Sequence, residues 1–194
     1  MFLNEFELEL IKEYPVDGTH DYYWPESGIF DGVTRELSYQ GEVIAHPDEL
    51  KRTYCCGLTW ELWLRSCQLW AERNGKELDL NGHNARDLRR LKADWFVASG
   101  RRGGPVDALV HRGLGIQVTL EEARPGDFMQ IWRRSGSGHS VVFLASVEGG
   151  IHYWSTQKAT KGIGERTEYF YGDNWVKKDE LYIARAIAPA VPMT

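Results

Sequence analysis

Thr53-Tyr54-Cys55-Cys56-Gly57-Leu58-Thr59-Trp60 sets two adjacent cysteines where a broken segment gives way to a long apolar run. From about Cys56 to Arg73, Leu58, Leu62, Leu69 and the tryptophans at 60, 63 and 70 recur at helical spacing, which predicts a helix. Asn74-Gly75 supplies its stop signal. A cysteine in the first turn of such a helix lies among N–H groups that have no intrahelical partner, at the positive end of the helix dipole. That field favours the thiolate, which is the nucleophilic form of cysteine.

Upstream, residues 12–53 are punctuated by Pro15, Gly18, Pro25, Gly28, Gly32, Gly41 and Pro47, and read as short irregular pieces. Within them, 37–44 reads as a strand leading to a loop. Downstream, a second helix is predicted over about 84–98, with Leu88, Leu91, Trp95 and Phe96 on or near one face. A glycine- and arginine-rich loop over 99–105 and a short third helix over 106–113 follow. The last third changes period. Arg124-Pro125-Gly126 introduces a strand over 126–132, and Ser135-Gly136-Ser137-Gly138 is a hairpin loop. A second strand runs over 139–145, and Gly149-Gly150 turns the chain into a third over 151–157. Gly162-Ile163-Gly164 is too short for a phosphate loop and reads as a turn.

Helices followed by consecutive hairpin strands predict an α+β domain with an antiparallel sheet. No repeat or long linker divides the chain, so 1–194 is expected to be one domain, with 1–53 an irregular extension and 54–157 carrying the motifs.

Composition narrows the function classes. Charged residues at 26% and hydrophobic residues at 42% describe a soluble globular protein. A net charge of -5 gives no electrostatic case for nucleic acid or an anionic membrane. Arg89-Arg90, Arg101-Arg102 and Arg133-Arg134 read as solvated surface. Eight tryptophans and nine tyrosines point to aromatic core packing, with an aromatic-lined cleft for peptide or sugar as the functional alternative. Met1–Ile11 carries Glu5, Glu7 and Glu9 in place of a basic start and apolar run, so no signal peptide is expected. No stretch approaches the roughly 18 apolar residues of a membrane span. The expected location is the cytoplasm, or outside the cell by a route without such a signal.

Three cysteines exclude a full disulfide framework, and a bridge between neighbours Cys55 and Cys56 would be strained. Cys67, inside the apolar helix, reads as a small buried hydrophobe. Without a C-x-x-C or H-x-x-x-H pair, neither a structural zinc nor any other cofactor is implied. What remains is a reactive thiol. His139 opens the central strand after the glycine-rich loop, so its ring can project from the sheet edge toward the helix start. A cysteine and a histidine distant in sequence but adjacent in space form an activated nucleophile. The histidines at 20, 46, 83 and 111 read as surface or structural.

Four short motifs in order strengthen this reading. Tyr54-Cys55-Cys56-Gly57-Leu58-Thr59 resembles the aspartate-cysteine-serine-glycine-leucine motif of NlpC-type cell-wall peptidases, a compact branch of the papain-like fold. Arg124-Pro125-Gly126-Asp127-Phe128 is similar to that family's proline-glycine-aspartate lead into a strand. Gly138-His139-Ser140-Val141-Val142 resembles its glycine-histidine-valine-glycine strand, and Ile151-His152 falls where a third polar residue stands. The resemblance covers roughly 54–157. It implies Cys55 as nucleophile, His139 as general base and the backbone N–H of Cys55 in the oxyanion hole. The third group is His152 in the family register, with Gln157 and Ser155 as alternatives. In a regular strand His152 and Gln157 face opposite sides, so at most one meets His139. Tyr39 is a candidate for the upstream tyrosine that such enzymes often carry.

Tyr54 stands in place of the aspartate and Cys56 in place of serine, so two thiols compete. Motif register and Gly57, read as leaving room for a substrate backbone, favour Cys55. The implied activity is hydrolysis of an amide bond through a thioester, with bacterial peptidoglycan stem peptides as substrate class. Acyl transfer on the same fold and a non-catalytic peptide- or glycan-binding module are the rivals. Delivery by phage or secretion machinery, with an inhibitor or immunity partner, would fit a wall-degrading enzyme without a signal peptide. Asp21, Glu26 and Arg35 are open candidates for substrate contacts in the irregular start.

Overall fold

The structure, a computed structural model, describes residues 1–25 and 30–189. Its first element is α1 (Asn4–Ile11), which the sequence disguises. Glu5, Glu7 and Glu9 alternate with Phe6, Leu8 and Leu10, a strand-like period, yet the segment is helical, and Glu7 and Leu10 on it are buried. Strands β1 (Leu37–Tyr39) and β2 (Glu42–Ala45) form a two-stranded antiparallel hairpin. Gln40 and Gly41 turn it at φ 51° and 78°, the left-handed pair that matches strand twist in a two-residue hairpin. The region before Tyr54 therefore holds a helix where irregular chain was expected, and a hairpin where 37–44 read as one strand leading to a loop.

Helix α2 (Cys55–Arg73) is the long helix expected from the apolar spacing, and Asn74 closes it. Helix α3 (Ala85–Trp95) is capped by Asn84, whose side chain accepts from Asp87 N while the Asp87 carboxylate accepts from Asn84 N. It ends three residues before the expected limit, where Val97 takes φ 60°. Helix α4 (Pro105–Leu109) begins on a proline and passes into a single 3-10 turn.

The strands are β3 (Gly115–Val118), β4 (Phe128–Trp132), β5 (Gly138–Val147), β6 (Gly150–Gln157), β7 (Gly162–Tyr169) and β8 (Tyr182–Ala186). They form one antiparallel sheet in the order β3-β8-β4-β5-β6-β7. The chain is thus an α+β fold of helices on antiparallel sheets. Gly162-Ile163-Gly164 is a strand start and not a turn. A side chain on Gly162 would overlap the His20 carbonyl oxygen, so glycine is required by the closely packed N-terminal segment.

Both faces of the sheet are covered. Phe128, Val142, Trp154 and Ala184 belong to the cluster shared with α2 and the other helices. Met129, Val141, Tyr153 and Ile183 belong to a second cluster closed by Val176. This double burial explains why β4 and β5 read as nearly continuous apolar runs. Cys67 is fully buried in the first cluster.

Two ion pairs lock the sheet. Asp127, in the proline-glycine-aspartate lead to β4, accepts Nε and Nη2 of Arg185 on β8, both at 2.8 Å. Arg133 donates Nε and Nη2 to Glu168 on β7 at 2.7 Å each, so it is largely buried and not the solvated surface expected. Such fork-to-fork pairs fix geometry as well as charge. No helix among the described residues is long and apolar enough to cross a membrane.

Candidate active site

Cys55 and Cys56 open α2 behind Tyr54, whose backbone is extended (φ -141°, ψ 159°) and whose side chain makes no cap hydrogen bond. The Tyr54 hydroxyl instead donates to Phe30 O at 2.9 Å. With no side chain consuming them and no acidic residue in the first turn, the N-terminal amides of α2 retain their field for an anion.

Thr59 fixes this end of the helix. Its hydroxyl donates to Cys55 O at 3.0 Å, meets Ser140 Oγ at 2.8 Å and accepts from the Trp95 indole N–H at 3.0 Å. One hydroxyl thereby ties α2 to β5 and α3, and places Cys55 beside the strand that carries His139. The Cys55 thiol is held well below its ordinary value, first by the hydrogen bond from Cys56, then by the charge and hydrogen bond of His139 and the Ser140 N–H, all against the cost of burial. Burial pushes the Cys56 thiol the opposite way, helped by the neighbouring Cys55. The two adjacent thiols are thus pushed in opposite directions, and the one lowered is Cys55.

His139 Nε2 lies 3.2 Å from Gln157 Oε1. The Gln157 amide is oriented by its own NH₂, which donates to Thr160 Oγ1 at 2.7 Å. Its oxygen therefore faces the imidazole, Nε2 carries the proton, and Nδ1 is left for the thiol.

Of the three candidates for the third residue, the structure brings only Gln157 to His139. His152 Nδ1 is 3.0 Å from Thr167 Oγ1 and its Nε2 2.8 Å from Glu165 Oε2, both on β7. The family register that favours His152 fails because it sits on the other parity of β6, where its partners are the cross-strand residues of β7. Ser155 donates to Ser140 O at 2.8 Å and supports the strand.

Other expectations also move. Tyr39 donates to His83 O and accepts from Leu80 N, both at 3.0 Å, so it belongs to the β1–β2 hairpin. The tyrosine beside the thiols is Tyr22, whose hydroxyl is pushed up by burial and by Cys55 and Cys56. A parallel bridge to Thr53, with Thr53 N donating to Asp21 O at 2.8 Å and Tyr23 N to Thr53 O at 2.9 Å, sets it there. Nothing local in the irregular start announces this long-range pairing. Gly57 leaves no room for a substrate backbone. A Cβ there would overlap the Asp31 carbonyl oxygen and the Gly32 backbone, so its absence admits the chain itself. Arg35 pairs with Glu61 at 3.3 Å. Glu26 lies outside the described residues.

Cys55, His139, Tyr22, Gln130 and Trp132 border one cavity of about 360 Å³. Among the described residues, no cluster of three or more metal-ligating side chains exists. The arrangement can deprotonate a thiol, present it at the base of a cleft and offer N–H groups to a developing oxyanion. No family model matches the chain, and neither do any curated proteins or solved structures.

Proposed function

We propose that the chain is a cysteine hydrolase of the papain-like, NlpC-type kind that cleaves amide bonds in peptides. The observation that carries this reading is the ordered set Cys55–His139–Gln157, with the thiol lowered and the imidazole tautomer fixed. The Cys55 thiolate attacks the scissile carbonyl carbon, and the C=O pair moves onto oxygen. The N–H of Cys55 at the α2 terminus stabilises that oxyanion. The protonated His139 gives its proton to the leaving nitrogen as the C–N bond breaks, which leaves a thioester on Cys55. His139 then takes a proton from water, hydroxide adds to the thioester, and the acid product departs as the thiolate re-forms. Gln157 holds the ring through both half-reactions.

The order of the four motifs supports peptidoglycan stem peptides as the substrate class. The test is incubation of muropeptides and of unrelated peptides with wild type and Cys55→Ala, reading products by mass spectrometry. A new amino terminus and a trapped acyl-enzyme, both lost in Cys55→Ala, are expected. Equal product from wild type and variant would overturn the reading. A second sample containing added amine separates hydrolysis from acyl transfer.

A further inference from the structure

The second core cluster carries a buried polar chain that the proposed reaction does not use. Tyr153, on β6, is completely buried, and its hydroxyl donates to Glu168 Oε1 at 2.6 Å. Arg166 is the residue of β7 directly opposite Tyr153, so Glu168, two further along, is a diagonal neighbour on the same face. Arg133, just past the end of β4, grips the same carboxylate with Nε and Nη2 at 2.7 Å each. Arg166 adds a second, more exposed cation at 3.5 Å. The chain Arg133–Glu168–Tyr153 thus reaches from the end of β4 to β7, across β5 and β6.

Its last member meets the base. The rings of Tyr153 and His139 have centroids 5.8 Å apart and planes inclined by 67°, the edge-on contact that aromatic pairs prefer. Tyr153 and Gln157 are an even step apart on β6, so one side of that strand supplies both neighbours of the imidazole. A single hydrogen bond from Nε2 leaves an imidazole free to swing about that bond. A second ring packed against it removes this freedom. The swing matters because a misplacement of about 1 Å at reacting groups can cost on the order of 100-fold in rate. A buried tyrosine brings a hydroxyl that needs a partner, which phenylalanine would not. The partner here is a carboxylate already clamped by a two-pronged guanidinium, so the hydroxyl has one place to stand.

We propose that Tyr153 is a positioning residue for His139, a role that rests on Cys55 and His139 being nucleophile and base. The Arg133–Glu168 pair fixes the hydroxyl, the hydroxyl fixes the ring, and the ring keeps the imidazole turned between Gln157 and Cys55.

The test compares wild type, Tyr153→Leu, Tyr153→Phe and Val118→Ala as full chains. Val118→Ala trims the same core cluster from β3, at the other edge of the sheet, and is the structural control. Cys55 labelling by iodoacetamide across pH is read by mass spectrometry, and the His139 tautomer by proton–nitrogen NMR correlations of its ring. Tyr153→Leu removes the second ring. It is expected to slow labelling at mildly acidic pH by on the order of 10-fold, to raise the midpoint and to mix the two tautomers. Tyr153→Phe keeps the ring but loses the anchor, and should slow labelling by roughly 3-fold. Val118→Ala should lower the urea midpoint and move neither readout. If Tyr153→Leu does not fold, Tyr153→Phe carries the test. Wild-type rates and a single tautomer in the folded Tyr153 variants would overturn the positioning role and leave the hydrolase reading standing. Equal losses in Val118→Ala would also overturn it, since general loosening of the core would then account for them. If wild-type Cys55 itself labels no faster than a free thiol, the hydrolase reading falls and this role with it.

Discussion

His139 Nε2 stands 3.2 Å from Gln157 Oε1, and of the three candidates for the third residue Gln157 alone reaches the ring. Residues 152 and 157 differ by an odd step along β6, so only one parity reaches His139. The amide accepts the imidazole N–H and pins the tautomer without adding a negative charge. His139 thus gains an orienting partner but no anionic one.

Removing that orientation should cost activity without unfolding the chain. Gln157→Ala is expected to slow Cys55 alkylation at mildly acidic pH, and any measured turnover, by on the order of 10- to 100-fold. His152→Ala should leave both unchanged and alter stability by less than about 1 kcal/mol, because its hydrogen bond with Glu165 is partly exposed. Side-by-side kinetics and urea unfolding check the pair. A larger kinetic loss in His152→Ala would return that residue to the site.

The hydrogen bond from Cys56 is the largest influence lowering the Cys55 thiol. Cys56→Ala is expected to shift the pH profile of Cys55 alkylation toward higher pH, since the largest lowering influence is gone. Cys56→Ser, which retains a donor, should move it less. Burial holds the Cys56 thiol protonated, so mass spectrometry of wild type should find the label on Cys55 alone. A profile unmoved by Cys56→Ala would show that His139 and the helix terminus suffice.

Glu7 gives a stability prediction of definite sign. Its carboxyl is completely buried on α1, neither oxygen has a hydrogen-bond partner among the described residues, and burial, then Asp127, pushes it well above its ordinary value. The folded state therefore holds this proton more tightly than the unfolded chain. Its stability contribution is full below the unfolded value near 4.5 and is lost as pH rises from there through the folded value. Glu7→Met should stabilise the protein by about 1–3 kcal/mol at pH 8 and by less at pH 5. Urea midpoints at the two pH values measure it. A larger gain at pH 5 would mean that Glu7 is ionised and compensated.

The elements legible in the sequence are those with uninterrupted periodicity and local punctuation. Helix α2 and strands β4 to β6 announce themselves because each carries an apolar pattern of one period between clear turn signals. Helix α1 does not, because its acidic and apolar residues alternate with the wrong period. Strands β7 and β8 escape because β7 begins with glycines that read as a turn. Cys55 and His139 are legible from their places at a helix start and a strand start. Gln157 is legible as an alternative only, since parity decides between two positions without saying which faces the ring. Tyr22 is not legible, because its place depends on a bridge to Thr53 that spans the irregular start. Gly57 misleads for a related reason: the backbone it accommodates, Asp31 and Gly32, is distant in sequence.

The central claim is that Cys55 is a thiolate paired with His139, and its most direct test is iodoacetamide labelling across pH, resolved by cysteine, in wild type and His139→Ala. Cys55 is expected to label half-maximally well below the ordinary thiol value of about 8.5. In His139→Ala that midpoint should rise and the rate at mildly acidic pH should fall. Labelling of Cys55 no faster than a free thiol, or of Cys56 alone, would contradict the thiolate–imidazole pair and the hydrolase built on it.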